Sequence, residues 1–202
     1  MTLTVGEDAH EAGRKGIKRA KRWLYASMRV TNVWANTDGP GQKAKLVYRW
    51  PHGGTFSFDM GGLMRADEFE NQIFSAEVKM YKADHGQLAK YRTFLAHCYV
   101  ALGSNRLMCD HLMWITWAPF GSSMWQEIRT PDFVRAAVLE ERQRIFGTAD
   151  LAQATAEIDE DRVKAVSERI WIIILSRKQE KLIPLNDWVA VVEAHLARGG
   201  KK

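Results

Sequence analysis

Glu77 and Lys79 stand two residues apart in Ala76-Glu77-Val78-Lys79-Met80, an otherwise apolar stretch. On a strand, that spacing projects both side chains from one face. Asp59 closes the upstream run Thr55-Phe56-Ser57-Phe58, and Gly61-Gly62 follow, glycines that would let a ligand approach the backbone closely. With suitable register, the two segments bring Asp59 and Glu77 together at one end of a sheet. Two carboxylates in that position suit a hard divalent cation such as Mg²⁺, which takes oxygen ligands and keeps several waters. A lysine beside them can position or deprotonate a water and offset charge developing on a phosphate. A Glu-x-Lys pair standing alone is most often a surface ion pair. Gln87-Leu88-Ala89-Lys90-Tyr91 adds an amide and a phenol at i and i+4 on one helix face. Taken alone, that is an amide at a helix start and a half-buried tyrosine. The three features in this order, on a strand–strand–helix frame, are far less prone to accident.

The elements that must position these residues follow from periodicity. Ile17, Ala20, Trp23, Leu24 and Met28 recur at helical spacing, predicting a helix over residues 7–30. Turn signals over 36–42 end it. Strand-like text at 46–50 and 55–59 flanks Pro51-His52-Gly53-Gly54 and predicts a hairpin. A third strand is expected over 72–80, a helix over 86–102 and a fourth strand over 111–117. Helices over 131–146 and 159–168, a strand over 170–175 and a last helix from Asn186 through Leu196 complete the chain. The order α-β-β-β-α-β, with extra helices and one more strand, predicts an α/β fold with a mixed central sheet flanked by helices.

Composition bounds the reading further. At 202 residues and 46% hydrophobic, the chain suits a single domain with a proper core and not a large multidomain enzyme. The longest uncharged apolar run, 170–175, is too short to span a bilayer. Residues 1–13 carry acids and no apolar signal region, so neither secretion nor a membrane partner is expected. Cys98 and Cys109 are too few for a disulfide framework and are expected as buried thiols of a cytoplasmic protein. His97-Cys98 and Cys109-Asp110-His111 lack zinc-ligand spacing, and His10 and His85 read as polar or capping residues. Trp114, Trp117 and Trp125 read as core or interface side chains before base-stacking platforms. The net charge of +5 is local: residues 1–50 hold ten Lys/Arg against four Asp/Glu, while 101–202 hold fourteen of each. Arg14, Lys15, Lys18, Arg19, Lys21 and Arg22 supply most of the excess. Such a cluster favours a polyanion through counterion release, with a solvated helix face as the even-weighted alternative.

Asp59, Glu77-Val78-Lys79 and Gln87-x-x-x-Tyr91 together resemble the PD-(D/E)xK nuclease superfamily, the restriction-endonuclease-like fold. The Gln-x-x-x-Tyr element is similar to the branch holding the RecB nuclease domain and lambda-type exonucleases. The resemblance spans residues 7–117, leaving 118–202 as a C-terminal elaboration of one domain. It implies a Mg²⁺- or Mn²⁺-dependent phosphodiesterase acting on DNA. It implies Asp59 and Glu77 as metal ligands and Lys79 as the residue that activates or orients water. Gln87 would orient the lysine or touch the nucleic acid, and Tyr91 would brace its helix or contact a phosphate. Glu11, with Glu7 as the alternative, matches the acid that many members add from the first helix. The basic residues 14–22 would lie along DNA. Two departures stand out. Phe58 occupies the place of the motif's proline, and the connection 60–76 leaves Asp67, Glu68 and Glu70 as rival first ligands. A nuclease-like fold that only binds nucleic acid or assembles with a partner protein is the alternative. Cutting both strands would suit a homodimer.

Overall fold

Helix α1, Val5–Ala26, buries Ile17, Ala20 and Leu24, the residues that helical spacing places on one face. The computed structural model describes residues 5–27, 29–81, 83–84, 86–104 and 109–182, with side chains from residue 11 onward. Strand β1, Val30–Ala35, follows and buries Val30, Val33 and Ala35. Helix α2, Pro40–Leu46, starts on a proline, whose fixed φ and missing N–H suit a first helical position. Strands β2, Val47–Arg49, and β3, Thr55–Ser57, then pair as an antiparallel hairpin. Strand β4, Met60–Met64, and strand β5, Ile73–Lys79, lead to helix α3, Gln87–Gly103, and strand β6, His111–Thr116. Helices α4, Pro131–Glu140, α5, Arg142–Phe146, α6, Leu151–Glu157, and α7, Glu160–Arg169, precede strand β7, Ile170–Ile174, and helix α8, Arg177–Lys181.

The main sheet has the order β1-β4-β5-β6-β7. β4 pairs antiparallel with both β1 and β5, whereas β6 pairs parallel with both β5 and β7. The protein is therefore α/β with a mixed five-stranded sheet flanked by helices. On one face, α1 packs over Val33, Met60, Phe74, Ala76, Val78 and Ile115. On the other, α3, α4 and α7 cover Leu112 and Trp114, joined by Tyr48, Phe56 and Phe58 from around the hairpin. Cys98 and Cys109 are buried and form no disulfide, and the Cys109 sulfur lies 3.7 Å from the Tyr48 hydroxyl and 3.3 Å from that of Ser75. Among the described residues, no helix is long and apolar enough to cross a membrane.

Two of the expected strands change place. The hairpin expected at 46–50 and 55–59 forms, but as a separate two-stranded sheet. The first two strands of the main sheet are instead 30–35 and 60–64. Val30-Thr31-Asn32-Val33-Trp34-Ala35 is too short for its apolar pattern to stand out after a long helix. Met60–Met64 is concealed in the sequence by Gly61-Gly62, a pair that resembles a break. These glycines serve packing within the protein, not a ligand's approach. A Cβ on Gly62 would lie 2.2 Å from the Asn32 carbonyl oxygen and 2.6 Å from the Phe74 ring. One on Gly61 would meet Leu46 at 2.9 Å and the Phe74 carbonyl oxygen at 3.1 Å. The expected helix 131–146 breaks at Glu141, α6 is an additional helix, and the helix expected from Asn186 lies outside the described residues.

Gly62→Ala must push a strand carbonyl and a fully buried ring apart. It should destabilise the fold by about 1–3 kcal/mol or more, read as a lower denaturant midpoint at unchanged m-value.

Candidate active site

Asp59 lies in the bend between β3 and β4, and its position is set by backbone pairing. Met60 faces Ala76 across the β4–β5 ladder, and the Asp59 N–H donates to the Ala76 carbonyl at 3.0 Å. That register draws the Asp59 carboxylate over the end of β5, where Oδ2 accepts from the Val78 N–H at 2.9 Å. Its Oδ1 accepts from the Asn36 side-chain amide at 3.2 Å, and the Asn36 N–H donates to the Asp59 carbonyl at 3.0 Å. Glu77 and Lys79 alternate with Val78 along β5, and Val78 belongs to the core under α1. Their side chains therefore leave the opposite face, beside Trp114, the register partner of Glu77 on β6. The Lys79 ammonium donates to Glu77 Oε1 at 2.6 Å and lies 6.0 Å from the centre of the Trp114 ring. Their side chains are only 24% and 14% exposed, so little water screens this contact. Glu77 Oε2 is buried with no hydrogen-bond partner among the described residues.

The electrostatics follow from that burial. Desolvation, reinforced by the charge of Asp59, raises the Glu77 carboxyl to about 7 despite the Lys79 contact. Asp59 is also raised by burial, against the opposing pull of Lys79 and its two hydrogen-bond donors. Burial alone would depress the Lys79 ammonium, but Glu77 and Asp59 together outweigh it and hold the group charged. Among the described residues, the Lys79 ammonium contacts Glu77, and its charge also bears on Asp59.

The remaining expected site residues divide. Gln87 is fully buried and its amide donates to the Ala118 carbonyl at 3.2 Å. It ties the start of α3 to the segment after β6. It has no surface for nucleic acid and no hydrogen bond to Lys79 among the described residues. Tyr91 is likewise fully buried, packed on Trp114 and Phe120, and its hydroxyl donates to the Ile128 carbonyl at 3.1 Å. It braces α3 and cannot reach a phosphate from there. Glu11 is exposed, and among the described residues no group of three or more His, Cys, Asp or Glu could hold a metal ion. The reason is helical geometry. Gly16 faces the sheet, where a Cβ would lie 3.1 Å from that of Met80. Helix α1 therefore packs on the Val78 side, opposite Glu77 and Lys79, and Glu11 is turned from the sheet by about 140°. Glu7 and His10 fall where side chains are not described, and His85 lies outside the described residues.

The rival ligands Asp67, Glu68 and Glu70 sit at the other end of β4 and β5, in the turn that joins them. Asp67 pairs with Arg29 at 2.8 Å, and Glu70 accepts from the Ala66 N–H. Of the basic cluster, Arg14, Lys15 and Lys18 are exposed and Arg22 is half-buried. Arg19 forms a two-pronged ion pair with Glu180 and covers the Trp117 ring, while Lys21 pairs with Asp38 at 2.9 Å. His97 stacks flat on Phe56 at 4.1 Å, and burial lowers it to about 4. His111 accepts from the Trp171 indole and contacts Gln72. These histidines do not join the cysteines in a zinc site. Asn36 carries no signal in the sequence because it stands first in a run of turn-forming residues. No family model, curated protein or solved structure matches the chain.

In the folded chain Glu77 holds its proton to about 7, whereas the unfolded chain releases it near 4.5. Between those values the folded state binds more protons, so this group's contribution to stability is complete below the lower value and is lost as pH rises through the upper one. In chelator, the melting temperature should fall across that window, and Glu77→Gln should flatten the fall.

Proposed function

We propose that the protein is a metal-dependent deoxyribonuclease of the PD-(D/E)xK, restriction-endonuclease-like kind. The observation that carries this reading is the Lys79–Glu77 contact at the end of β5, with the Asp59 carboxylate held over the same strand end by the Val78 N–H and its charge felt by both. The order of α1, β1, β4, β5, α3 and β6 supports it, because it follows the α-β-β-β-α-β succession of that fold. A cation fits the residues present. Glu77 pairs with the Lys79 ammonium while the charge of Asp59 raises it, and a buried carboxylate oxygen of Glu77 lacks a partner among the described residues. Two protein carboxylates suit Mg²⁺ or Mn²⁺, which complete their shells with water and substrate phosphate. Asp59 and Glu77 would hold the ion, which when bound acidifies a water and offsets charge on the phosphate.

The chain's own residues supply the rest. Lys79 brings a fixed positive charge to the site, and its ammonium carries three donors, of which the Glu77 contact uses one, so it would have donors for a water or phosphate. Trp114 walls the site on the β6 side and keeps its dielectric low. Val78 and Asn36 satisfy the Asp59 oxygens without adding charge. Along α1, which packs on the Val78 side of the sheet, Arg14, Lys15 and Lys18 offer exposed charge to a phosphate backbone.

A second reading, a nucleic-acid-binding subunit without catalysis, is favoured by the direct Lys79–Glu77 contact and by the exposure of Glu11. Incubation of purified protein with duplex and single-stranded DNA in Mg²⁺ or Mn²⁺ separates the two. The wild type should cut, and Asp59→Ala and Lys79→Ala should each lose at least about a hundredfold in rate. Equal cutting by all three would refute the site assignment, and salt-sensitive DNA binding without Mn²⁺ uptake would favour the second reading. Fluorescence anisotropy over a range of salt concentrations tests the track. Removing Arg14, Lys15 and Lys18 together should reduce the slope of log affinity against log salt by roughly 0.9 for each phosphate no longer neutralised. Lys21→Met should leave the slope unchanged, because Lys21 is paired with Asp38.

A further inference from the structure

We infer that Asn36 is a positioning residue for Asp59, an inference that rests on reading Asp59 and Glu77 as metal ligands. Asn36 holds the aspartate at two points: its backbone N–H on the Asp59 carbonyl at 3.0 Å and its side-chain amide on Oδ1 at 3.2 Å. The second oxygen, Oδ2, is held by the Val78 N–H, so the carboxylate is gripped from the end of β1 on one side and from β5 on the other. Neither donor is charged. An amide satisfies a desolvated carboxylate oxygen and fixes its direction, yet leaves the full negative charge for a cation. A lysine or arginine at this position would occupy the place of the metal.

The turn carrying Asn36 is itself braced. The Asp38 N–H donates to the Ala35 carbonyl at 3.0 Å, and Asp38 Oδ2 accepts from the Ala35 N–H at 3.0 Å and from Lys21 at 2.9 Å. The β1–α2 corner thereby becomes a rigid mount for one side chain. Asp59 sits in a bend, outside the regular ladder, where its own strand does not fix its rotamer.

The test is Mn²⁺ titration calorimetry, with the melting temperature and Mg²⁺-dependent DNA cleavage recorded beside it. It uses full-length wild type, Asn36→Leu, which keeps the shape and removes the donor, and Asn36→Ser, a milder change should the leucine prevent folding. Both variants should bind Mn²⁺ about 10–100-fold more weakly, the range expected when a metal ligand is deprived of its hydrogen-bond partner. Cleavage should fall in proportion at limiting metal and recover in large part at excess metal. A lowered melting temperature with wild-type Mn²⁺ affinity in a folded variant would make the role merely structural and overturn the inference. A wild type that neither takes up Mn²⁺ nor cuts DNA would overturn the reading of the site itself, an outcome distinct from failure at Asn36.

Discussion

Two carboxylates withdrawn from water beside a single ammonium form the constraint on which the other features of this end of the sheet depend. Removing an ionised group from water costs several kcal/mol unless opposite charge or strong donors replace its hydration. At the end of β5 the replacements among the described residues are the Lys79 ammonium, the Val78 N–H and the Asn36 carboxamide. The raised pKa values of Asp59 and Glu77 express the cost that burial imposes on both. Titratable groups perturbed in this way cluster at functional sites, and the proposed cation would relieve the strain on this pair.

The scaffold around the cluster makes it hard to relax. β5 is the middle strand of five. Its ladder with β4 stops at Ala76, and its last residues, Glu77, Val78 and Lys79, are held by the ladder with Trp114, Ile115 and Thr116 of β6 and by the Val78 N–H on Asp59. Val78, between the two charged residues, is fixed under α1 near Gly16, where a Cβ would lie 3.1 Å from that of Met80. On the other face, Trp114 is pinned by Tyr91, Phe94 and Phe120. Gln87 and Tyr91 thus act at a distance from any chemistry, by anchoring α3 to the chain after β6 at Ala118 and Ile128. Arg19 locks α1 to Glu180 of α8, which withdraws one of the six basic residues from the exposed cluster.

Much of this was legible from residue order. The spacing of Glu77 and Lys79 places both on one face of a strand, and Leu88, Tyr91 and Leu95 give α3 its apolar stripe. Val30–Ala35 is hard to read because a six-residue strand carries little periodicity, and β4 because paired glycines look like a turn unless a crowding ring such as Phe74 is known. Glu11 and Glu7 cannot be told apart without the rotation of α1 about its axis, which Gly16 sets. Asn36 is invisible for a different reason: its partner lies 23 positions along the chain, a separation that no local pattern records.

The position of β5 as the seam between the antiparallel and parallel halves of the sheet bears on the order of assembly. β1, β4 and β5 lie within the first part of the chain, whereas β6 and β7 join only after helical crossovers, so contacts of the first half close with less loop entropy. During synthesis the acids and their lysine can gather while still wet, and Trp114 arrives afterwards to drive water out. The unfavourable step of dehydrating the ions is thereby deferred until the rest of the protein is present to sustain it.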